Sequence, residues 1–414
     1  MQTAAIMAVF LFSVKAAAAE RALSWEEAVF QAARVNPSLA SSRLSLDASR
    51  EFYYGSFNNV LPSLSLSNSV SESNAGRSPA WSATGSASVS LFDMGKIASI
   101  RSASASWSAA EASLRAQSAA LRSSLRQSFS ALLFTQYSLV TSRRILELRS
   151  HDAELVTLRY DSGRESKGNK MRSSAQSLQA RVAVDSTERD LRTARRDMGR
   201  QLGREEFEEY VATGSFASAS PPARPGDFRE LLALRPDVAA AEASLRSSKA
   251  ALESARSVLW PSLSANYQRA RTGPSEFPSA RSSWSAGATL SYSLFAGGPT
   301  AAYHSTLAAR RRYESSEVDL AAARQAALTD LETAWSNYAD AADQVRVQDA
   351  LLAAARQRND EADVRYASGL LSFDNWEVIV SDRVNTERQA LSARRAAMDA
   401  ETAWDRALGR AVGE

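Results

Sequence analysis

From Trp81 to Phe92, Trp81, Ala83, Gly85, Ala87, Val89 and Leu91 alternate with Ser82, Thr84, Ser86, Ser88 and Ser90. A period of two sustained over this length specifies a strand with one dry face and one wet, uncharged face. The pattern returns from Trp284 to Phe295, where Trp284, Ala286, Ala288, Leu290, Tyr292 and Leu294 alternate with Ser285, Gly287, Thr289, Ser291 and Ser293. Trp81 and Trp284 stand 203 positions apart, as do Phe92 and Phe295. A strand written twice at one offset restricts the chain to folds built from two equivalent halves.

The rest of the sequence follows the same rule. Asn36-Pro37 and Leu61-Pro62-Ser63-Leu64 reappear as Arg235-Pro236 and Trp260-Pro261-Ser262-Leu263 at an offset of 199. Arg159-Tyr160 and Leu202-Gly203-Arg204 reappear as Arg365-Tyr366 and Leu408-Gly409-Arg410 at 206, so the offset changes only at turns. The first half reads as a helix from Ser24 to about residue 59, started by Ser24 with Glu26 and Glu27 in its first turn and kinked or restarted at Asn36-Pro37. A strand with Leu64, Leu66 and Val70 on one face follows, then a turn at Asn74 to Pro79 and the strand described above. Between Lys96 and Tyr160 there is neither Pro nor Gly, and Leu121, Leu125, Phe129 and Leu132 recur at helical spacing. One helix of about 65 residues, roughly 100 Å long, is predicted there. Gly163 and Gly168-Asn169 turn the chain into a return helix from Lys170 to about Leu202. The second long helix, Pro299 to Tyr366, carries Leu331, Trp335, Tyr338, Ala342 and Val345 as a coiled-coil seam. The expected organisation is a signal peptide at 1–19, a first repeat at 20–213, a linker at 214–227 and a second repeat at 228–414.

The signal peptide is read from the apolar run Ala4 to Val14 and the small residues Ala16 to Ala19, a run too short to cross a bilayer that needs about 20 residues. No other segment is long and apolar enough, so a membrane-crossing chain of this sequence crosses as a β-barrel. Four strands cannot close a barrel, which takes at least about eight, and an open edge in lipid is untenable. Membrane strands therefore require further copies of the chain. Two copies give a narrow barrel filled by its own side chains, and three give twelve strands with room for a lumen. Ser and Thr suit the lining of that lumen, while Trp81, Tyr267 and Trp284, read as lying near strand ends, suit an aromatic girdle at the membrane surface. The abundant Ala and Ser of the helices favour close packing on more than one face, as a hollow helical tube demands. The competing reading is a secreted oligomeric coiled-coil stalk or adhesin with no channel.

Composition narrows the chemistry. The 49 basic and 46 acidic residues are interspersed and leave a net charge of +3, which argues against nucleic acid as a partner. The chain has no Cys, which excludes disulfides, thiolate metal sites and Cys nucleophiles. Its two histidines, His151 and His304, fall in different repeats, whereas a catalytic zinc site wants three protein ligands. There is no Gly-rich phosphate loop and no Gly-x-Ser-x-Gly elbow. The expectation is a protein that is not an enzyme and carries no cofactor or metal.

The duplication, the Leu-Pro-Ser-Leu and Trp-Pro-Ser-Leu strand starts, Leu91-Phe92-Asp93-Met94-Gly95, Leu294-Phe295-Ala296-Gly297-Gly298 and the two Arg-Tyr-x-x-Gly turns together resemble the TolC-like outer membrane factors of Gram-negative efflux and secretion systems. The resemblance runs from Leu23 to nearly the end of the chain. It implies a mainly helical protein with membrane β-strands, assembled as a homotrimer with a twelve-stranded barrel in the outer membrane lipid and an α-helical barrel in the periplasm. It further implies export of small molecules or proteins, by tripartite efflux or type I secretion, from a periplasmic adaptor and an inner membrane pump of the RND, ABC or MFS class. By the same resemblance the tips at Tyr160 to Asn169 and Tyr366 to Asn375, turned by Gly163 and Gly369, meet the adaptor and narrow the tunnel. Arg164, Lys167, Lys170 and Arg172 surround the first tip, and Asp374 and Glu377 follow the second. Such charges are expected to pair between tips and hold the end shut, at about 0.2 to 1 kcal/mol for each exposed pair. Asn375 and Val378 stand where some members of the family place two Asp residues, so an acidic gate is not expected.

Overall fold

The computed structural model describes residues 21–72, 80–217, 220–276, 278, 281–292, 298 and 300–412. The expected signal peptide, the Asn74 to Pro79 turn and the Leu294-Phe295-Ala296-Gly297 end of the second strand echo lie outside the described residues.

The chain begins with β1 (Arg21–Leu23) and α1 (Trp25–Val35), whose first turn is closed by the Ser24 hydroxyl accepting the Glu27 amide. Asn36 ends α1 and starts α2 (Pro37–Ser56), its carboxamide oxygen accepting the amides of Ser38 and Leu39. The Asn-Pro pair is thus a restart, with Pro at a first-turn position where its missing N–H has no partner to lose. A 3-10 turn at Phe57–Asn59 leads into β2 (Ser63–Ser71) and β3 (Ala80–Phe92). Asp93 caps α3 (Met94–Asp161), a single helix of 68 residues, and α4 (Lys167–Gln201) returns over half its length. After β4 (Tyr210–Ala212) and a 3-10 segment at Phe228–Leu234, the order repeats as α5 (Pro236–Ser257), β5 (Ser262–Gly273), β6 (Arg281–Ser291), α6 (Ala301–Ala367) and α7 (Phe373–Ala407).

The four longer strands form one antiparallel sheet in the order β2-β3-β5-β6. Its register sorts the side chains into two faces. Leu66, Gly85, Arg269 and Trp284 stand in one row, and Ser65, Ser86, Gln268 and Ser285 in the next, on the opposite face. Along the polar face Ser65 and Ser86 share a hydrogen bond of 2.6 Å and Ser63 and Ser88 one of 2.8 Å. The other face is as open as the polar one, with Leu66 81% and Trp284 72% exposed. Neither β2 nor β6 has a second strand neighbour among the described residues.

The helices bury their seams against one another. α3 packs on α2, α4, α5 and α7, and α6 on α5 and α7. Near the sheet the buried seam of α3 is Ala98, Ala105, Ala112 and Ala119, one every seven residues and none more than 5% exposed. Further along it changes to Leu121, Leu125, Phe129 and Leu132. Alanine lets helices approach closely; the larger residues fill a core that also takes in Leu23, Met198, Leu202, Tyr210 and Phe216. That core is roofed by β1 paired in parallel with β4, a three-residue ladder with no sequence periodicity to announce it.

Candidate functional site

Both helical hairpins end in the same turn. At the first, the Gly163 amide donates to the Tyr160 carbonyl at 2.9 Å and the Arg164 amide to the Arg159 carbonyl at 2.8 Å. At the second, Gly369 donates to Tyr366 at 3.0 Å and Leu370 to Arg365 at 2.8 Å. Gly163 and Gly369 hold φ of 74° and 76°, the left-handed conformation this closure demands. A Cβ at either position would meet no heavy atom within 4 Å, so the conformation alone calls for glycine.

The two Arg-Tyr pairs share a sequence but divide the work. Arg159, from the first half, lays its guanidinium 4.5 Å over the Tyr366 ring of the second and donates to the Tyr366 carbonyl at 2.7 Å. The other side of Tyr366 stacks on Trp376, centroids 4.3 Å apart and planes 9° from parallel. The Tyr366 hydroxyl donates to Glu165 at 2.8 Å, and the Trp376 indole N–H to Asp363 at 2.7 Å. Burial, then the Glu165 carboxylate, push the Tyr366 phenol well above its ordinary range. Burial works against the charge on Glu165, but hydrogen bonds from Asn169 and Tyr366 outweigh it and hold its carboxyl low. The equivalent Tyr160 instead lies under the Lys170 ammonium, 4.7 Å from its centroid, and Lys170 pairs with Asp161 at 3.4 Å.

The charges predicted around the tips fall into two groups. Arg164, Lys167, Asp374 and Asn375 are exposed, and Asp374 lies 3.9 Å from Arg172 of the other hairpin in the same chain. Glu377 is elsewhere: it is 4% exposed, pairs with Arg149 at 3.3 Å, and accepts hydrogen bonds from Gln176 at 2.5 Å and Ser381 at 2.8 Å. It belongs to a buried polar layer just behind the tip, together with Asp152, whose Oδ2 has no hydrogen-bond partner among the described residues. Burial pushes Asp152 up to about 7; Arg149 opposes the shift, and Asp363 and Glu377 add to it. Sequence spacing places Glu377 on the tip but does not show that Arg149, 228 positions away, draws it inward. Exposed apolar side chains complete the tip surface, among them Leu370, Met171 and Val378.

At the far end of the molecule, Trp81 pairs with Val70 and Gly273 at the hairpin end of the sheet, and Trp284 stands opposite Arg269. Tyr267 differs from expectation: β5 runs on to Gly273, which leaves Tyr267 at mid-strand between Ala87 and Ala286. A second set of exposed aromatics, Phe57, Trp260, Tyr292 and Tyr303, marks the junction of helices and strands; the alternation of the second strand takes in Tyr292, whereas Phe57, Trp260 and Tyr303 sit outside the strands and carry no such pattern. No described helix is long and apolar enough to cross a membrane, and the described residues hold no cluster of three metal-ligating side chains.

The chain has clear relatives. The family profile described as outer membrane efflux protein matches residues 28–204 and 228–410. Among solved structures, one of CusC superposes with a TM-score of 0.83 at 19% identity over 92% of this chain and 91% of that one. The outer membrane protein VceC of Vibrio cholerae gives 0.81 at 17% over 93% and 96%, and the open state of the Neisseria gonorrhoeae MtrE outer membrane channel 0.80 at 20% over 93% and 88%. No curated protein matches the sequence.

Proposed function

The chain belongs to the outer membrane efflux protein family, and from that premise we propose that three copies join their sheets into one twelve-stranded barrel and their helices into a continuous periplasmic tunnel. The observation that carries this reading is the four-stranded sheet, largely apolar on one face and lined with Ser, Thr, Asn and Gln on the other, with neither edge strand paired further among the described residues and helices of 68 and 67 residues beyond it. A lumen surfaced by uncharged hydroxyls and amides passes solutes without binding them tightly, so the chain acts as a conduit and makes no bond. An inner membrane pump and a periplasmic adaptor supply the solute, whether a small molecule or a protein. The adaptor docks on the tips, where Leu370, Met171 and Val378 offer apolar contact beside Arg164, Lys167 and Asp374, and where Tyr160, Gly163, Tyr366 and Gly369 hold the shape.

Planar bilayer recording tests the reading. Detergent-purified protein is expected to insert as a trimer and conduct ions, with larger steps in Asp374→Ala, which loosens the Arg172 contact between hairpins. A preparation that forms trimers yet never conducts would leave the stalk reading in its place.

A further inference from the structure

Two arginines stand on the largely apolar face of the sheet. Arg269 lies in the row Leu66–Gly85–Arg269–Trp284, and Arg271 in the neighbouring row Asn68–Ala83–Arg271–Ser282. Both are exposed, and neither has a hydrogen-bond or ion-pair partner among the described residues. They sit on β5, an inner strand flanked by β3 and β6 of the same chain, so a neighbouring copy joined at either edge of the sheet does not cover them. The small residues beside them leave an open hollow of about 490 Å³ lined by Leu66, Asn68, Ala83, Gly85, Arg269 and Arg271. Its floor depends on Gly85, where a Cβ would come within 3.2 Å of the Leu66 side chain.

A guanidinium in hydrocarbon is costly, and one at headgroup depth is not. Trp284 stands directly opposite Arg269, and Trp81 one row beyond Arg271, so both arginines share the level of the tryptophans that favour the membrane surface. On a strand they are about 7 Å apart, close enough to hold one phosphate between them or one phosphate each. Arginine is suited to this by its planar fork of donors, which matches phosphate oxygens two at a time. We propose that Arg269 and Arg271 bind the phosphate of an outer-leaflet glycolipid headgroup, whose acyl chains run over Ala87, Tyr267 and Ala286 towards the helices. The site rests on the channel reading in one respect, that the apolar face of the sheet meets lipid.

The test is retention of a diphosphorylated glycolipid by the full-length protein in detergent, read by native mass spectrometry. Its dephosphorylated form and excess inorganic phosphate serve as separate arms, and bilayer conductance is recorded on the same samples. Wild type is expected to retain the phosphorylated form, with at least a tenfold loss in R269Q/R271Q, only partial rescue in R269K/R271K, which keeps the charge but not the fork, and unchanged conductance throughout. Equal retention by R269Q/R271Q, or equal retention of the dephosphorylated lipid, overturns the proposal. Displacement of the lipid by inorganic phosphate alone also overturns it, since the site is then one for a free anion. A wild type that retains the lipid but does not conduct removes the channel function and leaves the site standing, because retention does not read transport.

Discussion

Gly369 and Gly409 terminate α6 and α7 with nearly the same backbone, φ 76° and 73°, yet their surroundings differ. A Cβ on Gly369 reaches open space, whereas one on Gly409 would stand 2.6 Å from the Leu234 carbonyl oxygen. Gly369→Ala is therefore expected to cost only the left-handed penalty, about 1 to 2 kcal/mol. Gly409→Ala adds a backbone collision and should lower the thermal midpoint, followed by circular dichroism, distinctly further. Equal midpoints for the two variants would refute the distinction. Asp152 calls for a different measurement. Its folded value near 7 lies above the ordinary 3.8, so its contribution to stability belongs to the protonated form. That contribution is complete below about pH 4 and is lost as the pH rises through 7. The midpoint of the wild type should fall as the pH rises from about 4 to 7, and Asp152→Asn should flatten that dependence. The sequence shows Gly409 and Asp152 but not Leu234 beside the one or Asp363 and Glu377 near the other, which are brought in from elsewhere in the chain.

At the scale of elements, α3 changes character along its length. The heptad of alanines near the sheet admits close neighbours on α2 and α5, and the leucines and Phe129 beyond it fill a wider core. Ala105→Leu places three extra carbons in a seam only 5% exposed. Overpacking of this kind typically costs about 1 to 3 kcal/mol, and the variant should unfold at lower temperature than Ala→Leu at an exposed position of the same helix. The helices and the strands were legible because their periods, 3.6 and 2, persist over many turns and rows. Four features had no such signal. β1 and β4 are too short for periodicity, and their ladder depends on a core drawn from α3 and α4. Tyr267 falls at mid-strand because β5 extends past it to Gly273, a length that its own alternation does not announce. Glu377 looks like a surface charge until Arg149 is seen beside it. Phe57, Trp260 and Tyr303 at the junction lie outside any strand. Element type followed from local repetition, whereas burial of charge was decided by non-local partners.

For the whole molecule, the proposed assembly closes the two sheet edges, β2 and β6, that have no further strand neighbour among the described residues. In the proposed trimer β6 of one chain pairs with β2 of the next. Because the natural chain has no Cys, introduced thiols report this contact without background. A short series pairing Ser67→Cys with cysteines at Ser283, Ser285 or Thr289 should yield covalent trimers on oxidation in at least one register, while each single variant runs as a monomer on denaturing gels. Failure of every pair would count against the edge contact. The tip has a related bearing on symmetry. Arg159 of one half lies over Tyr366 of the other, and Tyr366 in turn stacks on Trp376, so the halves, alike in outline, are no longer interchangeable parts. Six copies of the first half alone would carry Lys170 at every tip, where the offset of 206 places it in the position of Trp376, and the stack would not form. The duplication has become a fused heterodimer, and a ring of three such chains is threefold at its narrow end even where its wall looks sixfold.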